Sequence, residues 1–456
     1  MTGGVVVRPG DAVSVVGGGL LGLTAALRLA EAGMHVTVFE AAPELGGLAA
    51  AWSIETPDGP VSWDRYYHVT LASDAALRGL LGDLGLDDSI VWTTTRTGYF
   101  ARGTLSPVST PKEFLMLPGL TPVAKLRLAM TIARGTMVRD WRALERMSVE
   151  RWLTRWSGTA TFRRFWIPLL EAKLGDAWRD ANAAFIWATI QRLTAARRSG
   201  IGDEKFGAVP GGYARVLEAL AARLDALGVR VVQGVPVESV VAEALGGVEL
   251  RTSDGPHHFD HAVVTTTPRV AAALCPDLSE PVRRRMAAVR YQGVVCVSVV
   301  LRRALSPYYL TYLMDDLPFT AVVEMTAMIP PAWVGGHSLV YLPRYVAADD
   351  AWFERSDAEI ETEFLAGLTR IHPLAADDVV AVRVARVREV FPLPVLRYSD
   401  IVPPMATGID GVHLVSSAQI VNGTLNVNET VARAERAVVE LCSAGPMLGG
   451  PYVGRS

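Results

Sequence analysis

Six consecutive residues, Trp63-Asp64-Arg65-Tyr66-Tyr67-His68, place an acid, a guanidinium, two phenols and an imidazole in one short stretch. His68 has an unperturbed pKa near neutrality, so it can take or give a proton at working pH. The bland alternative is a structural histidine that only completes a hydrogen bond. Arg65 can bind an anionic substrate group or pair with its neighbour Asp64, and Tyr67 shares the same run. Two more candidates lie on β-patterned segments far down the chain: Glu324 in "FTAVVEMTAMI" and Arg344, beside Tyr345, in "SLVYLPRYV". Alternation along a strand sends about half of such side chains to either face. No Ser-His-Asp order, zinc spacing or P-loop competes with these residues.

The elements that must position them begin near the N-terminus, with "VVGGGLLGLTAALRLAEAGMHVTVFE" at residues 15–40. Val13–Val16 is a short β-branched run suited to a strand buried on both faces. Gly17, Gly19 and Gly22 then form G-x-G-x-x-G, followed by a helical stretch and the strand "HVTVFE". Gly17 allows a tight turn, Gly19 lets backbone approach a pyrophosphate, and Gly22 lets helix and strand pack closely. The helix start offers the N–H groups around Leu20 and Leu21 to phosphate. Glu40 stands where an acid can bind ribose hydroxyls. Strand, glycines, helix, strand and acid in order predict a dinucleotide site.

The next residues choose the dinucleotide. "AAPELGGLAAAW" carries the pair Gly46-Gly47 with Leu48 beside it, where a plain nicotinamide dehydrogenase has no recurrent need of one. This strand-and-glycine-pair arrangement resembles the second motif of the superfamily of FAD-containing amine oxidases, phytoene desaturases and protoporphyrinogen oxidases. The basic residue usual beside those glycines is replaced here by Leu45 and Leu48. Three later segments extend the likeness over residues 11–441. "KFGAVPGGYARVLEALAARLDALGVRVVQGVPVESVV" (205–241) reads as a loop with Gly211-Gly212, an amphipathic helix and two strands. Its apolar stripe is Val216, Leu217, Leu220, Leu224 and Leu227. "FDHAVVTTTP" (259–268) reads as a strand leading to a turn at Pro268. "GVHLVSSAQIVNGTLNVNETVARAERAVVEL" (411–441) has Ser416-Ser417 where the superfamily normally has Gly-Asp.

The resemblance implies an α/β fold: a Rossmann-like FAD-binding domain of the glutathione-reductase type, a mixed β-sheet substrate domain and a helical insert. It places FAD against Gly17, Gly19, Leu20, Leu21, Gly22, Glu40, Gly46, Gly47, Leu48, the backbone near Val237, Ser417, Gly423, Thr424 and Asn426. It also sets "WDRYYHVT" beside the flavin ring. The implied division is a discontinuous FAD-binding unit (11–75, 205–290 and 401–445), a helical insert (76–204) and a mixed sheet (291–400), the last two forming the substrate domain. The implied reaction removes a hydride from a C–H bond of a small organic substrate, and the composition permits a hydrophobic one. Two other readings stay open: a non-redox isomerase of the UDP-galactopyranose mutase type, and a non-catalytic flavoprotein scaffold.

The remaining features bound this reading. The 456 residues carry a formal net charge of −3 and are 50% hydrophobic, an ordinary globular composition with no basic domain for nucleic acid. Cys275, Cys296 and Cys442 lie far apart and form no C-x-x-C pair, so a reducing, cytoplasmic setting is expected. There are four lysines, Lys112, Lys125, Lys173 and Lys205, and Lys173 reads best as a surface or salt-bridged residue. "VAKLRLAMTIARGTMV" (123–138) looks amphipathic; core packing is the favoured reading, with peripheral membrane contact as its alternative. Ser356 with Glu359 matches a capping box.

Overall fold

The computed structural model describes residues 6–117, 120–198, 205–421 and 425–443. Its nucleotide-binding unit is built on five parallel strands in the order Arg230–Gln233, His35–Glu40, Ala12–Val16, His261–Val264 and Val412–Leu414. Val13 and Val15 are fully buried, as a strand covered on both faces requires. Helices Leu20–Glu31, Gly212–Ala226 and Val427–Cys442 share one apolar core with this sheet, including Leu23, Leu27, Val216, Leu220, Leu224 and Val431. The parallel arrangement leaves the Gly17–Gly22 turn at the carboxyl end of the central strand, where ligands of open α/β sheets bind. A smaller antiparallel sheet, Val237–Ala242, Val248–Thr252 and Gly255–Phe259, packs beside it through Phe39 and Leu250.

The second unit is a mixed sheet of seven strands. Their order is Val379–Pro392, Tyr291–Leu301, Ser338–Ala347, Ala321–Glu324, Leu310–Leu313, Thr97–Ala101 and Thr104–Pro107. Alternation gives it two distinct faces. Val295, Val297, Leu342 and Val346 pack on helix Asp357–Ile371 through Phe364 and Leu368, and the Ser356–Glu359 capping box starts that helix. Val294, Cys296, Tyr341 and Tyr345 face the other way, onto Leu48, Trp52, Trp63, Tyr66 and Tyr67 from the nucleotide-binding unit.

The stretch expected as a single helical insert divides differently. Helix Ala75–Asp83 contributes Leu77, Leu80 and Leu81 to the core of the parallel-sheet unit. Strands Thr97–Ala101 and Thr104–Pro107 extend the seven-stranded sheet, because Leu310–Leu313 offers Thr97–Ala101 a parallel edge. The helices run from Pro111 to Arg198 around their own core of Trp152, Phe162, Trp166 and Trp178. Pro268 is not a turn; it opens helix Pro268–Leu274, where its missing N–H costs nothing.

Helix Pro122–Met137 also departs from the core-packing expectation. One side, with Leu128, Thr131 and Gly135, is buried against the insert. On the rest of its surface Val123, Leu126, Met130 and Met137 are 65%, 63%, 52% and 69% exposed, with exposed Arg127 and Arg134 among them. The helix is apolar over more of its circumference than the insert can cover. Among the described residues, no helix is long and apolar enough to cross a membrane.

Candidate active site

The cradle is made of backbone. Gly17 has φ +114°, and a Cβ on Gly22 would lie 1.9 Å from the Gly17 carbonyl oxygen, so neither position accepts a side chain without rearrangement. Gly19 differs: it has an ordinary φ of −71°, and a Cβ there would meet nothing within 4 Å. It caps helix Leu20–Glu31, whose first turn has no side-chain cap and no acid. The second glycine pair docks onto the first motif. The Gly46 N–H donates to the Gly18 carbonyl at 2.8 Å, and Gly46 has φ +109°. Glu40 accepts from the N–H groups of Gly18 at 2.6 Å and Ala42 at 2.8 Å, which fixes its carboxylate at the mouth of the turn. Its remaining lone pairs can still accept from hydroxyls.

These features fit a dinucleotide: an uncapped helix N-terminus, open space at Gly19 and a fixed acid at the strand end. A second observation fits the ring end. Trp63 Nε1, Arg65 Nε, Tyr66 Oη and His68 Nδ1 are buried polar atoms without a hydrogen-bond partner, and all four fall in the same six residues. Buried polar groups are normally satisfied, so such a concentration marks where a bound molecule completes the structure. At the far end of the chain, Ser416 caps the short turn Ser417–Gln419, and Ser417 Oγ lies 3.1 Å from the Tyr291 hydroxyl. Asn426 accepts from the Glu429 N–H at 3.1 Å and caps the last helix. Val237 opens its strand just after Val235, whose N–H donates to the Glu40 carbonyl at 3.1 Å. Gly423 and Thr424 lie outside the described residues.

The acid–imidazole stretch crosses between the two units. Asp64 ends strand Val61–Asp64 and turns inward, where its Oδ1 accepts the Tyr213 N–H at 2.7 Å next to Gly211-Gly212. Burial pushes its carboxyl up to about 7, against the lowering effect of that hydrogen bond. His68 Nδ1 lies 3.9 Å from Asp64 Oδ2, and its ring rests on Tyr213 with centroids 4.9 Å apart. Burial pulls the imidazole down to about 4; the Tyr66 backbone opposes this, and the Lys173 charge adds to it. His68 is therefore neutral at pH 7. Arg65 forms no ion pair with Asp64; its guanidinium lies 5.7 Å from the Trp52 ring centroid, and its N–H donates to the Ala50 carbonyl.

Across from this stretch stands the aromatic face of the seven-stranded sheet. Tyr67 Oη lies 2.9 Å from Tyr345 Oη, and Lys173 Nζ donates to that same Tyr345 hydroxyl at 2.9 Å. Lys173 thus points into the site rather than sitting at the surface or in a salt bridge. Its spacing in the sequence gave no sign of this, because the partner is 172 residues away. Glu324 and Arg344 lie on the wrong face. The Glu324 carboxylate is fully buried and accepts from the N–H groups of Leu305 and Ser306 and from Ser338 Oγ. Arg344 stacks over Trp352 at 4.5 Å and donates to the Pro318 carbonyl, on the side of helix Asp357–Ile371. One residue along, Tyr345 has the parity that reaches the site.

A profile of the flavin-containing amine oxidoreductase family matches residues 22–442. The chain belongs to that family. Among its relatives, a carotenoid phi-ring synthase of Streptomyces griseus is 46% identical over 71 residues, 15% of this chain and 14% of the relative. A 15-cis-phytoene desaturase of Arabidopsis thaliana is 36% identical over 87 residues, 19% of this chain and 15% of the relative. These alignments therefore span less than a fifth of either curated relative. Among solved structures, an oxidoreductase from Methanosarcina mazei has the same fold, with a TM-score of 0.73 at 18% identity over 94% of this chain and 100% of that one. FAD is the cofactor that membership implies. The residues fit that cofactor without the usual acid after the last strand: Ser416 and Ser417 supply hydroxyls there, the first engaged in capping the local turn and the second with Tyr291.

Proposed function

We propose that this protein dehydrogenates an apolar organic substrate, taking a hydride from a C–H bond and leaving a double bond, imine or carbonyl. FAD, when bound, is the hydride acceptor. The observation that carries the reading is the meeting of the glycine cradle with an aromatic, partly unsatisfied stretch across a sheet face lined by Tyr341 and Tyr345. Tyr66, Tyr67, Tyr341 and Tyr345 give the substrate carbon skeleton an apolar wall and exclude water. Trp63, stacked on Trp333 with centroids 6.0 Å apart, backs that wall. His68, neutral at pH 7, accepts the proton the substrate loses when a double bond forms, and Asp64 stabilises the imidazolium from behind. Relatives named for carotenoid chemistry support an apolar substrate. The exposed apolar face of helix Pro122–Met137, with Arg127 and Arg134 beside it, suits peripheral contact with a membrane from which such a substrate is drawn.

The test is anaerobic. Purified protein with its visible flavin spectrum is mixed with a panel of polyenes, alcohols, amines and acids. Bleaching by an apolar member supports the reading, and loss of that bleaching in His68→Gln supports the role of His68. A protein that is colourless and takes up no added FAD overturns it.

A further inference from the structure

We infer that Lys173, Tyr345 and Tyr67 form a carboxylate-binding site, and that the substrate is an apolar organic acid rather than an amine. The inference rests on the catalytic reading above and names the substrate class of the same site.

Lys173 lies in helix Ile167–Leu174, at the boundary between the insert and the seven-stranded sheet. Its ammonium sits 4.4 Å from the Tyr345 ring centroid and donates to the Tyr345 hydroxyl at 2.9 Å. Among the described residues it forms no ion pair. The nearest acid on its own helix, Glu171, is engaged by Trp178 and carries the influence of Asp176 and Arg179. Half-buried and set against an aromatic ring, the ammonium can take a ligand's negative charge as its counter-charge.

The hydrogen-bond arithmetic points the same way. An ammonium has three donors, and the contact with Tyr345 uses one. Tyr345 and Tyr67 have one O–H each, and a single hydrogen bond joins them at 2.9 Å. Whichever hydroxyl donates across that gap, the proton of the other is left to point outward. Burial holds the Tyr345 phenol up at about 12 and Tyr67 well above its ordinary value, so both stay protonated at working pH. The site therefore offers spare N–H and O–H donors around one positive charge, which is a receptor for a carboxylate. A cationic amine would meet repulsion from the same ammonium. The adjoining face, with Tyr66 and Tyr341, is aromatic and apolar.

The experiment is calorimetric titration of octanoate, octylamine and octanol into the purified holoprotein, with flavin content measured beforehand. Octanoate is expected to bind saturably at one site and octylamine not at all. Lys173→Met should weaken octanoate at least tenfold, and Lys173→Arg should recover part of that loss. Tyr67→Phe should weaken it less. Equal binding of octanoate to wild type and Lys173→Met, or preferential binding of octylamine, overturns the inference. Because calorimetry reads binding whether or not flavin is present, absence of flavin strikes the catalytic reading, whereas absence of charge-dependent carboxylate binding strikes this one. A folded state of Lys173→Met that matches wild type by circular dichroism excludes unfolding as the cause, and Tyr67→Phe supplies an independent variant should it not match.

Discussion

The Asp64 carboxylate accepts the Tyr213 N–H with one oxygen at 2.7 Å and places the other 3.9 Å from His68 Nδ1. One acid thus ties strand Val61–Asp64 to Tyr213, 149 residues away and next to Gly211-Gly212, and also faces the candidate base.

That relationship has a pH consequence whose sign can be worked out. The Asp64 carboxyl is raised from 3.8 to about 7 on folding, so the folded state binds the extra proton and Asp64 loses stability as pH rises through this window. His68 is lowered from 6.5 to about 4, so the unfolded state binds the extra proton and stability grows as pH rises from 4 to 6.5. The two slopes oppose each other in the wild type. Melting temperature followed across this range should fall with rising pH in His68→Gln and rise with pH in Asp64→Asn. Parallel profiles in both variants would show that the two groups do not titrate as their burial requires.

The glycines of the cradle should separate folding from cofactor binding. Gly19→Val puts carbon into open space at the helix start, so the fold should survive while the flavin-to-protein ratio collapses. Gly22→Val drives a side chain into the Gly17 carbonyl and should lower soluble yield as well. Flavin absorbance and circular dichroism on both variants check this. Retention of flavin by Gly19→Val would remove the pyrophosphate from that turn.

Glu324 and Arg344 should prove structural. Glu324→Ala leaves the Leu305 and Ser306 N–H groups without their acceptor and should cost about 1–3 kcal/mol of stability. Turnover per flavin in the surviving folded fraction should be unchanged, as it should be in Arg344→Ala. Denaturant melts paired with steady-state rates distinguish this from a catalytic role, which would lower turnover without touching the midpoint.

The exposed face of helix Pro122–Met137 gives a fourth expectation. Replacing Leu126, Met130 and Met137 with serine removes apolar surface that touches no core, so stability should change little. Cosedimentation with vesicles containing anionic lipid should fall in this triple variant and in wild type at high salt. Unchanged cosedimentation would leave the face without a membrane role.

The sequence displayed the cradle because its determinants are local. Gly17, Gly19, Gly22 and Glu40 sit within one strand–turn–helix–strand unit, and the glycine pair follows at once. The catalytic side was harder to read because its contacts are long-range. Tyr345 and Arg344 are neighbours in sequence, and only the register of Ser338–Ala347 against Tyr291–Leu301, with Cys296 opposite Pro343, decides which of them faces the site. Lys173 reaches Tyr345 only once the insert has packed on the sheet. The open face of helix Pro122–Met137 was hidden for a similar reason: hydrophobic spacing shows that a helix has an apolar side but not whether a neighbour covers it.

The strand order of the parallel sheet also constrains how the chain is made. Ala12–Val16 leaves the ribosome well before Val412–Leu414, yet the sheet is complete only when Val412–Leu414 pairs with His261–Val264. The last helix then seats on the first, with Glu435 against Arg28 and the Leu441 carbonyl accepting from the Val7 N–H. Synthesis at roughly 5–20 residues per second separates the first strand from its last partners by on the order of tens of seconds. Throughout that interval the glycine turn exists as sequence but lacks its finished housing, and a nascent chain stalled before residue 412 carries the motif without the strand and helix that complete its surroundings.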